Sequence, residues 1–192
     1  MLKSLQKSSI LLLVFTALFA GTSFAQTSFN LPLLSNWDDN NLPNAFYGAY
    51  NDIWGWEDGN GNEYAILGSV EGTFFFDVTD PTNIVQSDFE FGKFTTGVIH
   101  RDYKTYGHYA YAVCDEGPSS LQIFDLSYLP DSVHKVYDSD ALCVRAHDIY
   151  IEDGFLYFAS NTTTTGFNAL DIASLADPEN PTFVHSLNSP LY

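Results

Sequence analysis

The stretch Glu63 to Pro81, EYAILGSVEGTFFFDVTDP, decides the fold, because two later stretches repeat its order with variations. A short apolar run (Tyr64, Ala65, Ile66, Leu67) leads into a turn carrying Glu71 and Gly72. A second run, Thr73 to Val78, then ends in an Asp-x-x-x-Pro pattern. Short runs rich in aromatic and β-branched residues, bounded by Gly, Asp and Pro, predict two antiparallel strands. The same order returns at Tyr109 to Asp125, YAYAVCDEGPSSLQIFD, and at Phe155 to Asp171, FLYFASNTTTTGFNALD.

The strand-ending aspartates Asp77, Asp125 and Asp171 lie 48 and 46 residues apart. A lead-in motif keeps the step: Asn51-Asp52-Ile53, Arg101-Asp102-Tyr103 and His147-Asp148-Ile149 open the copies, with Asp52, Asp102 and Asp148 separated by 50 and 46 residues. A period of roughly 40 to 50 residues without helical patterning is the length of one four-stranded propeller blade. The chain is therefore predicted to be all-β, a β-propeller of four-stranded antiparallel blades with about three blades present, near 51–95, 98–140 and 144–188. A β-sandwich is the alternative, since its turn signals recur every 8 to 12 residues or so. It gives no reason to repeat a sequence at blade length.

Several of these residues together resemble one family, the secreted choice-of-anchor B proteins with LVIVD-type repeats. The resemblance rests on Asn51-Asp52-Ile53-Trp54-Gly55-Trp56, Glu63-Tyr64-Ala65-Ile66 with Gly68, and Gly72-Thr73 with Phe76-Asp77-Val78-Thr79 and Pro81. Arg101-Asp102-Tyr103-Lys104, Phe124-Asp125-Leu126 and His147-Asp148-Ile149 extend it over residues 51 to about 185. It implies a β-propeller exported by bacteria and held at the cell surface by variable C-terminal anchors. It implies no reaction and supplies no catalytic residues.

Residues 1–25 read as a secretory signal peptide: Lys3 and Lys7, the apolar run Ile10 to Ala20, then Ser23-Phe24-Ala25 before Gln26, with cleavage expected between Ala25 and Gln26. An uncleaved membrane anchor is the alternative, for which the run is short. No cysteine follows it to take a lipid. Cleavage removes two of the seven basic residues and no acidic one, taking the formal charge from −17 to −19. So acidic a product repels phosphate backbones and anionic membranes, which excludes nucleic acid as a partner. The acidity is read first as solubility in a salty exterior and second as a capacity for cations. The 16 Phe, 12 Tyr and 3 Trp suit rings packed between sheets.

Residues 26–50 precede the first full repeat. Leu31-Pro32-Leu33-Leu34-Ser35 is similar to Pro181-Thr182-Phe183-Val184-His185-Ser186, the outer strand expected of the third copy, and is read as a ring-closing strand. Known propellers use about 4 to 8 blades, so three cannot close. The expectation is an N-terminal fragment whose missing C-terminal blades complete the ring; an open arc of three is the alternative.

Candidate sites are few. Asp58, Asn60 and Asn62 alternate as in a calcium loop, but Glu63 stands in place of its glycine and Ser69 in place of its bidentate Glu; a hairpin turn is preferred. His100-Arg101-Asp102 matches a kinase catalytic loop in those three residues only. Arg101 and Asp102 are expected to pair and tie blades together. His147 beside Asp148 lacks a nucleophile, and neighbours on a strand face opposite ways, so His147 is expected to hydrogen-bond within its blade. Asn161-Thr162-Thr163 is a sequon, relevant only in a host that glycosylates it. Export permits a disulfide between Cys114 and Cys143, provided their Cα atoms come within about 7 Å; two isolated cysteines do not suggest a metal site.

Two functions follow. The first is a secreted or surface-attached binding or scaffold module for a protein or glycan, without catalysis or cofactor. The second is a propeller-mouth enzyme or divalent-metal protein in which Asp52, Asp102 and Asp148 converge on an ion such as calcium.

Overall fold

A computed structural model describes residues 31–188. The signal-peptide reading, with Ala25 and Gln26, lies outside them. Among the described residues there is no helix, and so none long and apolar enough to cross a membrane. Twelve strands form three four-stranded antiparallel meanders. The first sheet comprises β1 (Tyr50–Glu57), β2 (Glu63–Ser69), β3 (Gly72–Asp77) and β4 (Val85–Phe91). The second comprises β5 (Arg101–Tyr106), β6 (Tyr109–Cys114), β7 (Leu121–Asp125) and β8 (His134–Ser139). The third comprises β9 (Asp148–Glu152), β10 (Phe155–Thr163), β11 (Gly166–Ser174) and β12 (Thr182–Leu187). Three such sheets are compatible with successive propeller blades; they form no closed ring.

The opening stretch is the β2–β3 hairpin, with Tyr64 opposite Asp77 and Leu67 opposite Phe74. Its turn closes on Ser69, whose hydroxyl donates to the Gly72 carbonyl (3.0 Å) and accepts from the Gly72 N–H (3.1 Å). Strand β3 is buried on both faces, which accounts for three consecutive phenylalanines rather than an alternating pattern. Phe75 meets Phe124 of the second sheet edge to face at 5.3 Å, while Phe74 and Phe76 pack under Trp37 at 4.9 and 4.7 Å. Each fully buried ring or aliphatic side chain contributes about 1.5–3 kcal/mol. Two cores result. Ile66, Phe75, Tyr103, Ala112 and Phe124 fill the space between the first and second sheets, and Tyr111, Ile123, Ile149, Leu156 and Phe158 that between the second and third.

The turn after the third strand of each sheet is also repeated, but the third sheet is phased differently from the sequence expectation. Asp77 accepts from the Thr79 N–H and Asp125 from the Ser127 N–H, both at 2.9 Å. These two aspartates face Tyr64 and Tyr109 across their hairpins. The corresponding place opposite Phe155 is taken by Ser174, whose Oγ accepts from the Ala176 N–H at 3.3 Å. Asp171 is thus not strand-ending. It sits within β11 opposite Phe158, buried, and accepts from Asn161, Asn168 and Ser186.

Leu31–Ser35, expected to close a ring, belongs to none of the three sheets, and Leu31, Leu33 and Leu34 are exposed. Trp37 and Leu42, by contrast, cover the outer face of the first sheet.

Candidate functional site

The first strands of the sheets run side by side, β5 flanked by β1 and β9, and this brings the lead-in motifs together. Asp52 Oδ2 accepts the Tyr103 N–H at 3.3 Å, and Asp102 Oδ2 accepts the Ile149 N–H at 2.7 Å. Each aspartate reaches the main chain of the residue that follows the next aspartate in the series. The relation is a relay from sheet to sheet. Its third member, Asp148, has no such donor among the described residues and its side chain is 59% exposed.

Lys104 lies between the last two members, 2.8 Å from Asp102 Oδ1 and 3.9 Å from Asp148 Oδ1, with its ammonium 4.5 Å from the centre of the Trp54 ring. Asp148 is pushed above the ordinary carboxylate value, chiefly by hydrogen bonding with Asp102 and then by desolvation and that neighbour's charge. The Arg101–Asp102 pair does not form. Arg101 is buried and instead donates to three carbonyls, Ser69 (2.9 Å), Val70 (3.3 Å) and Phe94 (2.9 Å), so it ties the sheets through main chain rather than through charge. A guanidinium fork suits this, since it carries five donors at fixed angles.

The tryptophans of the opening motif face the second sheet. Trp54 Nε1–H donates to Thr105 Oγ1 (3.1 Å) and Trp56 Nε1–H to the Gly107 carbonyl (2.9 Å), with Gly55 between them opposite Ala65. The Asp58 loop is a self-contained turn. Asp58 Oδ1 accepts the N–H groups of Asn60 (2.8 Å) and Asn62 (3.2 Å), Oδ2 accepts the Asn62 amide (2.7 Å), and Gly59 and Gly61 take positive φ. Its carboxylate is already satisfied by its own loop.

Cys114 and Cys143 are free, buried thiols, so the disulfide that export would permit is not formed. Desolvation pushes both up, so neither ionises readily.

A cluster that sequence reading did not assemble lies beside the aspartate relay. His100, just before β5, and Asp115 and Glu116, just after β6, are joined by His147 from the start of the third sheet. His147 Nδ1 is 2.7 Å from Asp115 Oδ2, a bond across sheets and not within one as expected; it raises the imidazole pKa. His100 Nδ1 is 3.2 Å from Glu116 Oε1, and the two imidazole centroids are 5.5 Å apart. Both rings, with Asp52, Asp102, Asp148, Tyr47 and Tyr50, line an open cavity of about 440 Å³. The one signal in the sequence was the recurrence of histidine beside the lead-in aspartates.

Compared with known proteins, the sequence matches no family model and no curated protein.

Proposed function

We propose that the three sheets are successive blades of an exported β-propeller of the choice-of-anchor B type, held at a bacterial surface, that acts as a binding or scaffold module without catalysis. The observation that carries this reading is the aspartate relay. One hydrogen bond, from a lead-in carboxylate to the main chain of the next sheet, is made twice in succession, as a rotationally repeated structure requires. Asp148 would make the third such bond to a further blade, and Leu31–Ser35 would complete the last blade of the ring.

The use of Asp52 and Asp102 as inter-sheet fasteners weighs against the alternative, in which Asp52, Asp102 and Asp148 gather a metal ion such as calcium. Lys104 already supplies positive charge between the last two. A surface suited to a ligand is the cavity mouth, where aromatic and polar side chains mix as glycan and protein contacts do.

The labelled full chain incubated on a glycan array and on immobilised peptides is expected to retain a ligand and release it unchanged. A ligand recovered cleaved or modified would move the reading to a propeller-mouth enzyme, and no retention at all would count against a binding module. Reading the gene beyond the codon for Tyr192 tests the ring: a further lead-in aspartate is expected some 46 to 50 residues after Asp148, as between the earlier members.

A further inference from the structure

We propose that His100, Asp115 and Glu116 bind a divalent transition-metal ion of the zinc class, with His147 orienting Asp115 from the neighbouring sheet. This site shares no residue with the aspartate relay and holds whether or not the sheets belong to a ring.

One donor atom from each of His100, Asp115 and Glu116 lies within 4.8 Å of the others. Donors that share a tetrahedral zinc at about 2.0–2.1 Å stand about 3.3 Å apart. His100 Nδ1 and Glu116 Oε1 are already at 3.2 Å. The main chain sets this spacing. The Asp115 N–H donates to the His100 carbonyl at 3.2 Å, extending the β5–β6 ladder by one pair. Glu116 Oε2 accepts the N–H groups of Ile99 and His100, each at 3.0 Å, which fixes the carboxylate and leaves Oε1 toward the imidazole. The Ala146 N–H donates to the Cys114 carbonyl at 3.1 Å, anchoring the segment that carries His147.

Charge and donor type point the same way. Two adjacent carboxylates meet here, and among the described residues neither pairs with a lysine or arginine. Arg101, although next to His100 in sequence, spends its donors on carbonyls. A dication would neutralise the pair. Imidazole with carboxylate favours zinc, copper or nickel over calcium or magnesium, which prefer all-oxygen sets. His147 holds one oxygen of Asp115 and leaves the other for the ion, an outer-shell contact of the kind that positions metal ligands. Three protein donors leave a fourth position for water or an oxygen of a bound ligand.

The test is calorimetric titration of the metal-stripped full chain with zinc chloride near neutral pH, with cobalt absorption as a second readout. One ion per chain is expected, with cobalt giving visible bands of a low-coordinate site. His100→Gln and Asp115→Asn should each weaken binding by more than the roughly 10–100-fold that loss of an outer-shell partner costs, and His147→Gln should fall within that range. Asp58→Asn, in the calcium-like loop, should bind as the parent does. Glu116→Gln is avoided because its second oxygen also holds the main chain of 99 and 100. Thermal melts establish that each variant is folded. The proposal is overturned if the parent chain takes up no stoichiometric zinc, if folded His100→Gln and Asp115→Asn both bind as tightly as the parent, or if Asp58→Asn abolishes binding. Zinc uptake without any retained glycan or peptide would leave this site standing while removing the binding-module reading.

Discussion

Replacing Asp102 by alanine separates a fastener from a metal ligand. Its side chain is 15% exposed, accepts from the Ile149 N–H at 2.7 Å and the Lys104 ammonium at 2.8 Å, and shares a hydrogen bond with Asp148. Ile149 is buried in the core between the second and third sheets, so its N–H would lose its 2.7 Å acceptor there. Leaving a buried donor unpaired costs about 1–3 kcal/mol. Lys104 loses less, because it retains the Tyr103 carbonyl at 3.0 Å and the Trp54 ring. A total of about 2–3 kcal/mol follows, which for a chain of this length lowers Tm by roughly 5–10 °C. Asp148→Ala removes a carboxylate of the same series whose side chain is 59% exposed and which accepts no N–H from a further sheet among the described residues, so it should lose less, about 0.5 kcal/mol. Calorimetry on both variants measures the difference. Hydrogen exchange adds a local readout, since about 2 kcal/mol of lost protection speeds exchange of the Ile149 amide roughly 30-fold. Equal Tm losses in the two variants, or an Ile149 amide whose exchange does not change in Asp102→Ala, would refute the relay.

Phe75→Ala empties the interface between the first two sheets, where the ring is fully buried against Phe124, and should cost about 3–5 kcal/mol by denaturant unfolding. Gly117 has φ +64° and lies against the Phe94 ring, so Gly117→Ala forces both a left-handed alanine and a displaced ring; about 1–3 kcal/mol should be lost in the same assay. Hydrogen bonding from Asn62, with lesser bonds from Asn60, holds Asp58 below the ordinary carboxylate value. A lowered folded-state pKa stabilises above the unfolded value of about 3.9 and is lost as pH falls through the folded one. The Tm gap between the parent and Asp58→Ala should therefore be full at neutral pH and close below about pH 4. Both thiols should resist iodoacetamide in the native chain and react in denaturant; native labelling, or an intact mass 2 Da low, would contradict buried free thiols.

The twelve strands were largely legible because the signals that define them are local. The runs Tyr64 to Leu67 and Thr73 to Val78 predicted β2 and β3 to within two residues, while β1, β5 and β9 begin at Tyr50, Arg101 and Asp148. The third copy slipped for a physical reason. The turn bond after the third strand needs a side-chain oxygen two residues before the N–H it accepts, and a serine hydroxyl serves as well as a carboxylate. Ser174 makes that bond while an aspartate three residues earlier, Asp171, imitates the spacing. A pattern read only in aspartates follows the wrong oxygen.

The site was less legible because its contacts have no sequence counterpart. Asp102 is answered by an N–H of Ile149, and every residue but proline carries one, so no side chain at position 149 could announce the bond. A carboxylate recurring at one place in each repeat therefore reads equally as an ion ligand or as a fastener until the neighbouring sheet is in view. The histidine cluster is hidden in another way. His100 and Glu116 are brought together by the β5–β6 ladder, which any sequence with that hairpin would form, but His147 arrives only because the third sheet packs on the second. Fastener and cluster thus depend on the same joint: the Ile149 N–H that Asp102 holds lies in β9, two residues after His147. Loosening that joint should release His147 from Asp115 as well, so Asp102→Ala should weaken zinc uptake no more than His147→Gln does, and a larger loss would place Asp102 itself at the ion.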